Sequence, residues 1–254
     1  MTTVIVTRPK QQAEALCKLL QQQSIQTILL PLIEIKPLIL TNEHIGHLES
    51  ASAKADWLIF ISVNAVNYAF KALGTKLEKL CQTTRLAAIG QSTANALATH
   101  GCKVNATPSQ GFNSEALLAL PEFQDLKGQR IVCIRGQGGR ELLAETFRAR
   151  GANVEYLEVY QRISADLQPD ALRKLIENNN VDYITISSGE ILTSLAQKLN
   201  TEQLRSRVLE IPLIVISERL LQQAKSLGFK HIALSDGPSD SAVVKKIIRL
   251  VSGE

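Results

Sequence analysis

The chain has 254 residues, of which 45% are hydrophobic and 20% are charged, and its formal net charge is +4. This composition is typical of a globular protein and excludes a disordered chain, which combines low hydrophobicity with high net charge. The longest apolar stretches, such as 28–33, are far shorter than the roughly 20 residues that span a bilayer. The first residues have no basic segment before their apolar run, so we expect a first strand, no signal peptide, no membrane contact and a cytoplasmic location.

Cysteine and histidine spacing gives no sign of a metal site. His44 and His47 lie one helical turn apart, but no further ligands follow nearby, and we expect no metal. The cysteines are widely separated without a CxxC pair, which predicts reduced thiols. The basic residues are dispersed, which argues against nucleic-acid binding and permits an anionic small molecule. The cysteines are Cys17, Cys81, Cys102 and Cys133.

A unit made of a short apolar run, a small polar loop and an amphipathic helix recurs along the chain. Nearly continuous hydrophobicity is typical of parallel strands covered on both faces. Three predicted helices end at Gly101, Gly151 and Gly228, where glycine can adopt the left-handed cap conformation. The pattern therefore predicts an α/β fold with parallel sheets. The predicted strands are 4–7, 57–61, 86–89, 131–134, 183–186 and 213–216.

The chain also matches itself at a shift of 126 or 127 residues. Each match occupies the same position in a strand, loop and helix unit, which favours two related α/β lobes of about five strands each. The alternative is that all such units look alike. The matched pairs are Arg8 with Arg135, Glu14 with Glu141, Asp56 with Asp182, Trp57 with Tyr183, Ser62 with Ser188, Gly101 with Gly228 and Lys103 with Lys230.

The loops that follow the predicted strands share a chemistry suited to anions. Ligands of open parallel sheets bind at the carboxyl ends of the strands, where hydroxyl residues and glycine let backbone N–H groups approach an anion. Ordinary helix capping explains any one loop equally well. Taken together, six such loops predict an anion-binding cleft between two lobes. The predicted binding residues are Thr7, Arg8, Ser62, Asn64, Gly90, Ser92, Thr93, Arg135, Gly136, Gly138, Gly139, Arg140, Ser187, Ser188, Gly189, Ser217 and Arg219.

The glycine-rich segment 136–139 does not match a nucleotide-binding loop. A dinucleotide fingerprint needs a third glycine where this chain has Glu141, and the GK[ST] ending of a Walker loop is missing. The flanking Arg135 and Arg140 suit carboxylates at least as well as phosphates.

With these segments in view, the sequence resembles the uroporphyrinogen-III synthase family. The resemblance is carried by an ordered set of short segments spread over nearly the whole chain. These are Val6-Thr7-Arg8-Pro9, Leu30-Pro31-Leu32-Ile33-Glu34, Ile89-Gly90-Gln91-Ser92-Thr93, Arg135-Gly136-Gln137-Gly138-Gly139-Arg140-Glu141, Tyr160-Gln161-Arg162, Ser187-Ser188-Gly189-Glu190 and Val215-Ile216-Ser217-Glu218-Arg219-Leu220.

The resemblance implies two flavodoxin-like parallel-sheet domains joined by a two-stranded linker. One domain would be discontinuous, 1–36 with 162–254, and the other would be 37–161. The internal repeat alone would equally allow two consecutive lobes divided near Lys127. The resemblance also implies a monomeric lyase of tetrapyrrole (haem) biosynthesis that uses no cofactor and binds its polycarboxylate substrate, hydroxymethylbilane, between the domains.

The implied reaction closes hydroxymethylbilane to uroporphyrinogen III with loss of water and inversion of ring D. The family's candidate proton donor matches Tyr160, although an aromatic that only packs the lobe junction is an equal alternative. Thr93 matches another position thought to touch substrate. Many relatives have a Gly-x-Thr-Thr-like loop where this chain has 217–220, so Arg219 would replace the threonine there. A two-lobed binding module for a small anion is the alternative function.

Overall fold

The structure is a computed structural model that describes residues 1–39, 41, 46, 50, 54–111, 113–139, 141–167, 169–178 and 180–253. His44, His47 and Arg140, which the sequence analysis singled out, lie outside these residues. Within the described ranges no helix is both long and apolar enough to cross a bilayer.

Strands and helices alternate along the chain. The strands are β1 (Thr3–Val6), β2 (Gln26–Leu29), β3 (Ile33–Pro37), β4 (Trp57–Phe60), β5 (Arg85–Ala88), β6 (Arg130–Gly136), β7 (Asn153–Ser164), β8 (Tyr183–Ile186), β9 (Leu213–Val215) and β10 (Ile232–Leu234). The helices are α1 (Lys10–Gln22), α2 (Val63–Leu73), α3 (Thr75–Thr83), α4 (Gln91–Thr99), α5 (Ser114–Leu118), α6 (Leu142–Ala149), α7 (Pro169–Asn178), α8 (Gly189–Lys198), α9 (Glu202–Glu210), α10 (Glu218–Ser226) and α11 (Asp240–Ser252), with a 3-10 turn at Pro121–Phe123.

The chain divides into two compact units, each built on one five-stranded sheet. Unit 1 comprises Met1–Glu34 and Ile163–Glu254, and its sheet has the order β10-β9-β8-β1-β2. Unit 2 comprises Ile35–Arg162, and its sheet has the order β3-β7-β6-β4-β5. Neighbouring strands from β2 to β10 in the first sheet, and from β7 to β5 in the second, pair in parallel. The predicted α/β class with two parallel sheets is confirmed.

The division between the units falls within β3 and β7, so both of these strands contain residues of both units. In β3 the division follows Glu34, two residues before the predicted limit at residue 36. In β7 it follows Arg162, one residue after the predicted limit at residue 161.

The internal repeat is visible in equivalent hydrogen bonds of the two units. In unit 1, Asp182 Oδ2 accepts from the N–H of Thr3 at 2.7 Å, and in unit 2, Asp56 Oδ2 accepts from the N–H of Arg130 at 2.8 Å. The strand order β2-β1-β8-β9 corresponds under the same shift to β7-β6-β4-β5. The two units therefore share one topology, and the repeat reflects more than a general likeness of βα units.

Each sheet separates two apolar layers. In unit 2, Leu58 and Phe60 face the layer that contains α2, whereas Trp57 and Ile59 face the layer that contains α6. This alternation follows from the period of two in a strand, and it makes a central strand hydrophobic at every position. The glycines predicted to end helices have the expected conformation, with φ of 72° at Gly101, 88° at Gly151 and 91° at Gly228.

The six predicted strands are present within two residues of their predicted ends, but four further strands were not predicted. Three of these, β2, β3 and β10, form sheet edges, and β7 lies next to an edge. Edge strands are covered less completely, so β2 and β3 keep polar residues, whereas β10 is an apolar run of only three residues. The burial of β2, with both end residues exposed and none fully buried, shows this directly.

The aromatic cluster of unit 2 provides a test of its core. Phe123 is fully buried, with its ring centroid 4.9 Å from that of Trp57 and 5.4 Å from that of Phe147. We expect Phe123→Ala to lower the free energy of unfolding by about 3–5 kcal/mol, because a large side chain leaves a cavity. Urea unfolding followed by circular dichroism and by the fluorescence of the single tryptophan measures the change. Val251→Ala, at a half-exposed position of α11, should stay within about 0.5 kcal/mol, and an equal effect of the two variants would contradict the assigned core.

Candidate active site

In both units, helices on opposite faces of the sheet follow two adjacent strands. In unit 2 these strands are β4 and β6, followed by α2 on one face and α6 on the other. In unit 1 they are β1 and β8, followed by α1 and α8. Such a switch in topology opens a crevice at the carboxyl ends of the strands, where ligands of this fold class bind. Four of the six predicted site loops follow these strands, and the other two follow β5 and β9.

A β-bulge determines where Tyr160 points. Strand β7 pairs regularly with β6 up to Glu158 opposite Arg135, but the next pair is Tyr160 opposite Gly136, which leaves Val159 as an extra residue. As a result, Val159 and Tyr160 both belong to the apolar layer that contains α2, although consecutive residues of a regular strand face opposite sides. A bulge re-aims side chains in this way. Without it, Tyr160 would face the other side of the sheet.

Tyr160 is 1% exposed and is held tightly from two sides. Its ring stacks on Tyr68 with centroids 5.6 Å apart. The pKa of Tyr68 is raised, mainly by burial and to a smaller extent by the neighbouring Tyr160. On the other side the Tyr160 ring lies against the backbone of Gly136, where a Cβ atom would be only 2.5 Å from two ring carbons. Glycine is therefore required at 136 for the observed position of the ring.

The hydroxyl of Tyr160 meets two polar side chains. It lies 3.2 Å from Oγ of Ser62 and 3.3 Å from Nη2 of Arg162. Ser62 also caps α2, because its Oγ accepts from the N–H of Ala65 at 2.9 Å. The phenol thus lies beside the amino terminus of a helix, whose dipole favours negative charge and whose first N–H groups have no partner within the helix. Asn64 in the same first turn is buried.

The glycine-rich loop is held together from within by Arg135. This side chain is 2% exposed, and its guanidinium donates to the carbonyls of Gly136 and Gly138 and to the carboxylate of Glu141, the last at 3.1 Å. Its predicted role as a direct substrate ligand therefore does not fit its surroundings. The left-handed conformations of Gly138 and Gly139, with φ of 70° and 102°, let the loop turn around the guanidinium.

Tyr156 completes the support of this loop. Its hydroxyl donates to Glu141 at 2.5 Å, and the guanidinium carbon of Arg135 lies 4.4 Å from its ring centroid. Burial and the Glu141 hydrogen bond raise the pKa of Tyr156 to about 12. The same hydrogen bond, together with Arg135, lowers the pKa of the Glu141 carboxyl. Tyr156 therefore stays protonated and Glu141 stays ionised at neutral pH, as their hydrogen bond requires.

The third predicted loop of unit 2 follows β5. Gly90 caps α4 with extended backbone, and the N–H of Thr93 donates to the Gly90 carbonyl at 3.0 Å. Thr93 is 3% exposed, whereas Ser92 is exposed. Ser92 and the helix amino terminus are therefore the parts of this loop that face solvent.

In unit 1 the serines that follow the strands are helix caps. Ser188 accepts from the N–H of Ile191 at 3.2 Å, and Ser217 accepts from the N–H of Leu220 at 3.4 Å. Ser188 is the equivalent of Ser62 under the internal repeat. The predicted residues Ser187 and Gly189 are half-buried and Arg219 is exposed; a Cβ at 189 would lie 3.7 Å from a guanidinium nitrogen of Arg219.

Two predicted ligands in unit 1 have partners within the fold. The Thr7 side chain is fully buried, and its hydroxyl donates to the carbonyl of Thr185 at 2.5 Å. Arg8 donates to Asp240 in the first turn of α11 and is mostly buried. Both side chains contribute to the packing of unit 1.

The described residues show no cluster of three or more His, Cys, Asp or Glu side chains that could hold a metal ion. All four cysteines have free thiols, and three of them are buried. Burial raises the pKa of the Cys133 thiol to about 12, so this residue is a poor nucleophile.

Sequence reasoning missed the side chains that support the site. Arg162 was part of a quoted segment but not among the predicted site residues, and Tyr68 and Tyr156 were not singled out. The spacing of Tyr160 and Arg162 could have indicated that Arg162 lies beside Tyr160, because residues two apart in a strand share a face. Tyr68 and Tyr156 reach the site only through tertiary packing.

Comparison with known proteins identifies the family. The sequence profile described as Uroporphyrinogen-III synthase HemD matches residues 14–245. The chain is 33% identical over 250 residues to the uroporphyrinogen-III synthase of Escherichia coli (strain K12), covering 96% of this chain and 99% of the relative. The chain belongs to the uroporphyrinogen-III synthase family.

Solved structures of the family share this fold. The uroporphyrinogen-III synthetase of Helicobacter pylori 26695 matches with a TM-score of 0.68 at 16% identity, covering 98% of this chain and 100% of that one. A mutant uroporphyrinogen III synthase of Thermus thermophilus matches with a TM-score of 0.65 at 18% identity, covering all of both chains. Membership of this family makes the chain a cyclising lyase of tetrapyrrole biosynthesis with a small-molecule tetrapyrrole substrate.

The contact between Gly136 and Tyr160 gives a direct test of the site geometry. We expect Gly136→Ala to lower the free energy of unfolding by about 1–3 kcal/mol, because the new methyl group overlaps the ring. In a Tyr160→Leu background the same substitution should cost far less. Urea unfolding measures both, and Gly237→Ala is the matched control, since no atom lies within 4 Å of its added Cβ. Equal costs in the two backgrounds would show that the ring does not lie on Gly136.

Proposed function

We propose that this chain cyclises hydroxymethylbilane to uroporphyrinogen III, with loss of water and inversion of ring D. The observation that supports the proposal most strongly is the placement of the Tyr160 hydroxyl. The bulge in β7 brings it to the carboxyl ends of β4 and β6, within hydrogen-bonding distance of Ser62 and Arg162. A phenol with polar partners at a ligand-binding edge is suited to proton transfer, and the isomer and Tyr160→Phe measurements below separate this role from packing.

In this proposal Tyr160 gives its proton to the hydroxyl that leaves from ring A. The C–O bond breaks, its electron pair leaves with the oxygen as water, and the ring A nitrogen supplies the pair that forms the azafulvene. The substituted carbon of ring D then attacks the azafulvene methylene to give a spiro intermediate, which fragments and closes again with ring D reversed. The proton lost from ring D at the final closure balances the one that the phenol gave.

Positioning of the bilane contributes more than acid catalysis. A phenol is a weak acid compared with a carboxylic acid, and the bilane closes without any enzyme to the unreversed isomer. The enzyme must therefore hold the chain in a conformation that favours attack by the crowded carbon of ring D.

The substrate carries eight carboxylates, and the proposed receptor consists mainly of backbone N–H groups. In unit 2 these are the amino termini of α2 and α4 and Gly139 of the loop 136–139, in which the N–H groups of Gln137 and Gly138 already donate to Tyr160 and Glu158. In unit 1 they are the amino termini of α8 and α10, with Arg219 beside α8. Ser62, Ser188 and Ser217 fix the first turns through their caps. Arg135 supports the loop, while the loop itself contacts the carboxylates. Arg140 stays a predicted ligand.

A monomer that works in the cytoplasm without a cofactor is part of the same proposal. Light scattering with size-exclusion chromatography tests the monomer, and turnover by protein treated with a chelator tests independence from metal.

The product isomer tests the proposed function. We expect the purified protein, supplied with enzymatically generated hydroxymethylbilane, to form uroporphyrinogen III, because positioning of ring D redirects the closure. After oxidation, chromatography separates the uroporphyrin isomers. Formation of isomer I alone would overturn the proposal. Saturable binding of the bilane without turnover would instead favour a two-lobed anion-binding module.

Removal of one hydroxyl tests the role of Tyr160. We expect Tyr160→Phe to lower the rate of isomer III formation about 10- to 100-fold, because the proton donor is lost while the ring still packs between Tyr68 and Gly136. The unfolding midpoint in urea should change little. Tyr183→Phe, which removes a hydroxyl in unit 1, is the control for loss of a phenol. Unchanged turnover of Tyr160→Phe would return Tyr160 to a packing role.

A further inference from the structure

Arg162 links the buried phenol of Tyr160 to the exposed surface of unit 2. It lies two residues beyond Tyr160 in β7 and is exposed, whereas Tyr160 is buried. Its Nη2 is 3.3 Å from the phenol oxygen, and its guanidinium carbon is 5.5 Å from the ring centroid. The guanidinium therefore contacts the hydroxyl and also faces solvent.

The contact with Arg162 determines the direction in which the phenol donates. A guanidinium has five N–H donors and no acceptor, so Arg162 can only donate to the phenol oxygen. The proton of the phenol is then directed away from Arg162. In the observed arrangement it can point to Oγ of Ser62 at 3.2 Å, which already accepts from the N–H of Ala65.

We propose that Arg162 is a positioning residue that keeps the Tyr160 hydroxyl oriented as a proton donor and binds a substrate carboxylate with its other N–H groups. The inference rests on the proposed function and extends it to a residue outside the predicted site. When the substrate is bound, the phenol turns its proton from Ser62 to the leaving hydroxyl, and the Arg162 contact to the oxygen is kept. As the proton leaves, negative charge develops on the phenol oxygen, and the cationic donor stabilises it.

The N–H groups of Arg162 that do not contact the phenol bind a carboxylate of the substrate. The acetate or propionate side chain of the ring that carries the leaving hydroxymethyl group lies within a few bonds of the reacting carbon. A planar guanidinium can hold that carboxylate with one edge and the phenol oxygen with another, because its donors point in several directions within one plane. A lysine ammonium, a compact charge, cannot hold both partners in this way. Arg162 would thus tie the reacting end of the bilane to its proton donor.

The test is a double-mutant cycle with separate measurement of kcat and KM. We expect Arg162→Gln to lower kcat for isomer III about tenfold and to raise KM, because both contacts are lost. In a Tyr160→Phe background the effect on kcat should fall below about twofold, since no proton remains to be oriented, while the rise in KM persists. We expect Arg162→Lys to restore much of KM but little of kcat.

The control variant is Arg173→Gln, which removes an exposed arginine from α7 in unit 1, where it pairs with Asp170. It should leave kcat and KM unchanged in both backgrounds. Circular dichroism and urea midpoints verify folding, and if Arg162→Gln does not fold, Arg162→Lys in the two Tyr160 backgrounds gives the same comparison of kcat. A loss of kcat that is equal with Tyr160 and with Phe at 160 overturns this inference and leaves the proposed function intact. Formation of isomer I alone by the unaltered protein overturns both.

Discussion

The candidate active site depends on one irregularity in a parallel sheet, the extra residue in β7 opposite the end of β6. Regular pairing would place Val159 opposite Gly136 and would turn Tyr160 towards the layer of α6. The bulge instead places Val159 and Tyr160 in the same layer, so that the phenol meets Ser62 at the start of α2 and stacks on Tyr68. Gly136 is the complementary requirement, because any side chain there would occupy the space of the ring. Irregular pairing of this kind is common next to active sites, where it re-aims a functional side chain.

The second constraint is electrostatic. Many free arginines would suit a polycarboxylate, but two of the four predicted arginine ligands have partners within their units. Arg135 is buried inside the loop that it supports, and Arg8 pairs with Asp240. Arg135 stabilises the backbone of its loop, and the proposed ligands are the N–H groups of Gly139 in that loop and of four helix amino termini. This division agrees with the small net charge of +4.

The sequence was sufficient to predict the fold class, the central strands and the internal repeat, because these follow from local composition. A fully covered strand such as β4 is apolar at each position, and the asparagine, serine and glycine residues after strands are local signals for caps and turns. β2, β3 and β7 were missed because their polar residues are compatible with several structures, and β10 was missed because its apolar run is only three residues long. Tyr160 was predicted as a site residue only through the family resemblance. Its partners depend on the bulge and on packing between distant segments, and neither has a signature in local sequence. The structure also shows that Thr7 donates within the sheet, a use of its hydroxyl that the loop pattern alone cannot reveal.

In the proposed mechanism Tyr160, held by the bulge, delivers a proton to the leaving hydroxyl of the bilane. A substrate with a leaving group that needs no proton tests this most directly. The measurement is the ratio of initial rates of isomer III formation by the unaltered protein and by Tyr160→Phe, first with hydroxymethylbilane and then with the corresponding bilane that carries a carboxylate ester as leaving group. We expect a ratio of about 10 to 100 for the hydroxyl substrate and a ratio close to one for the ester. An equally large ratio for both substrates would contradict proton delivery and would leave Tyr160 with a role in positioning alone.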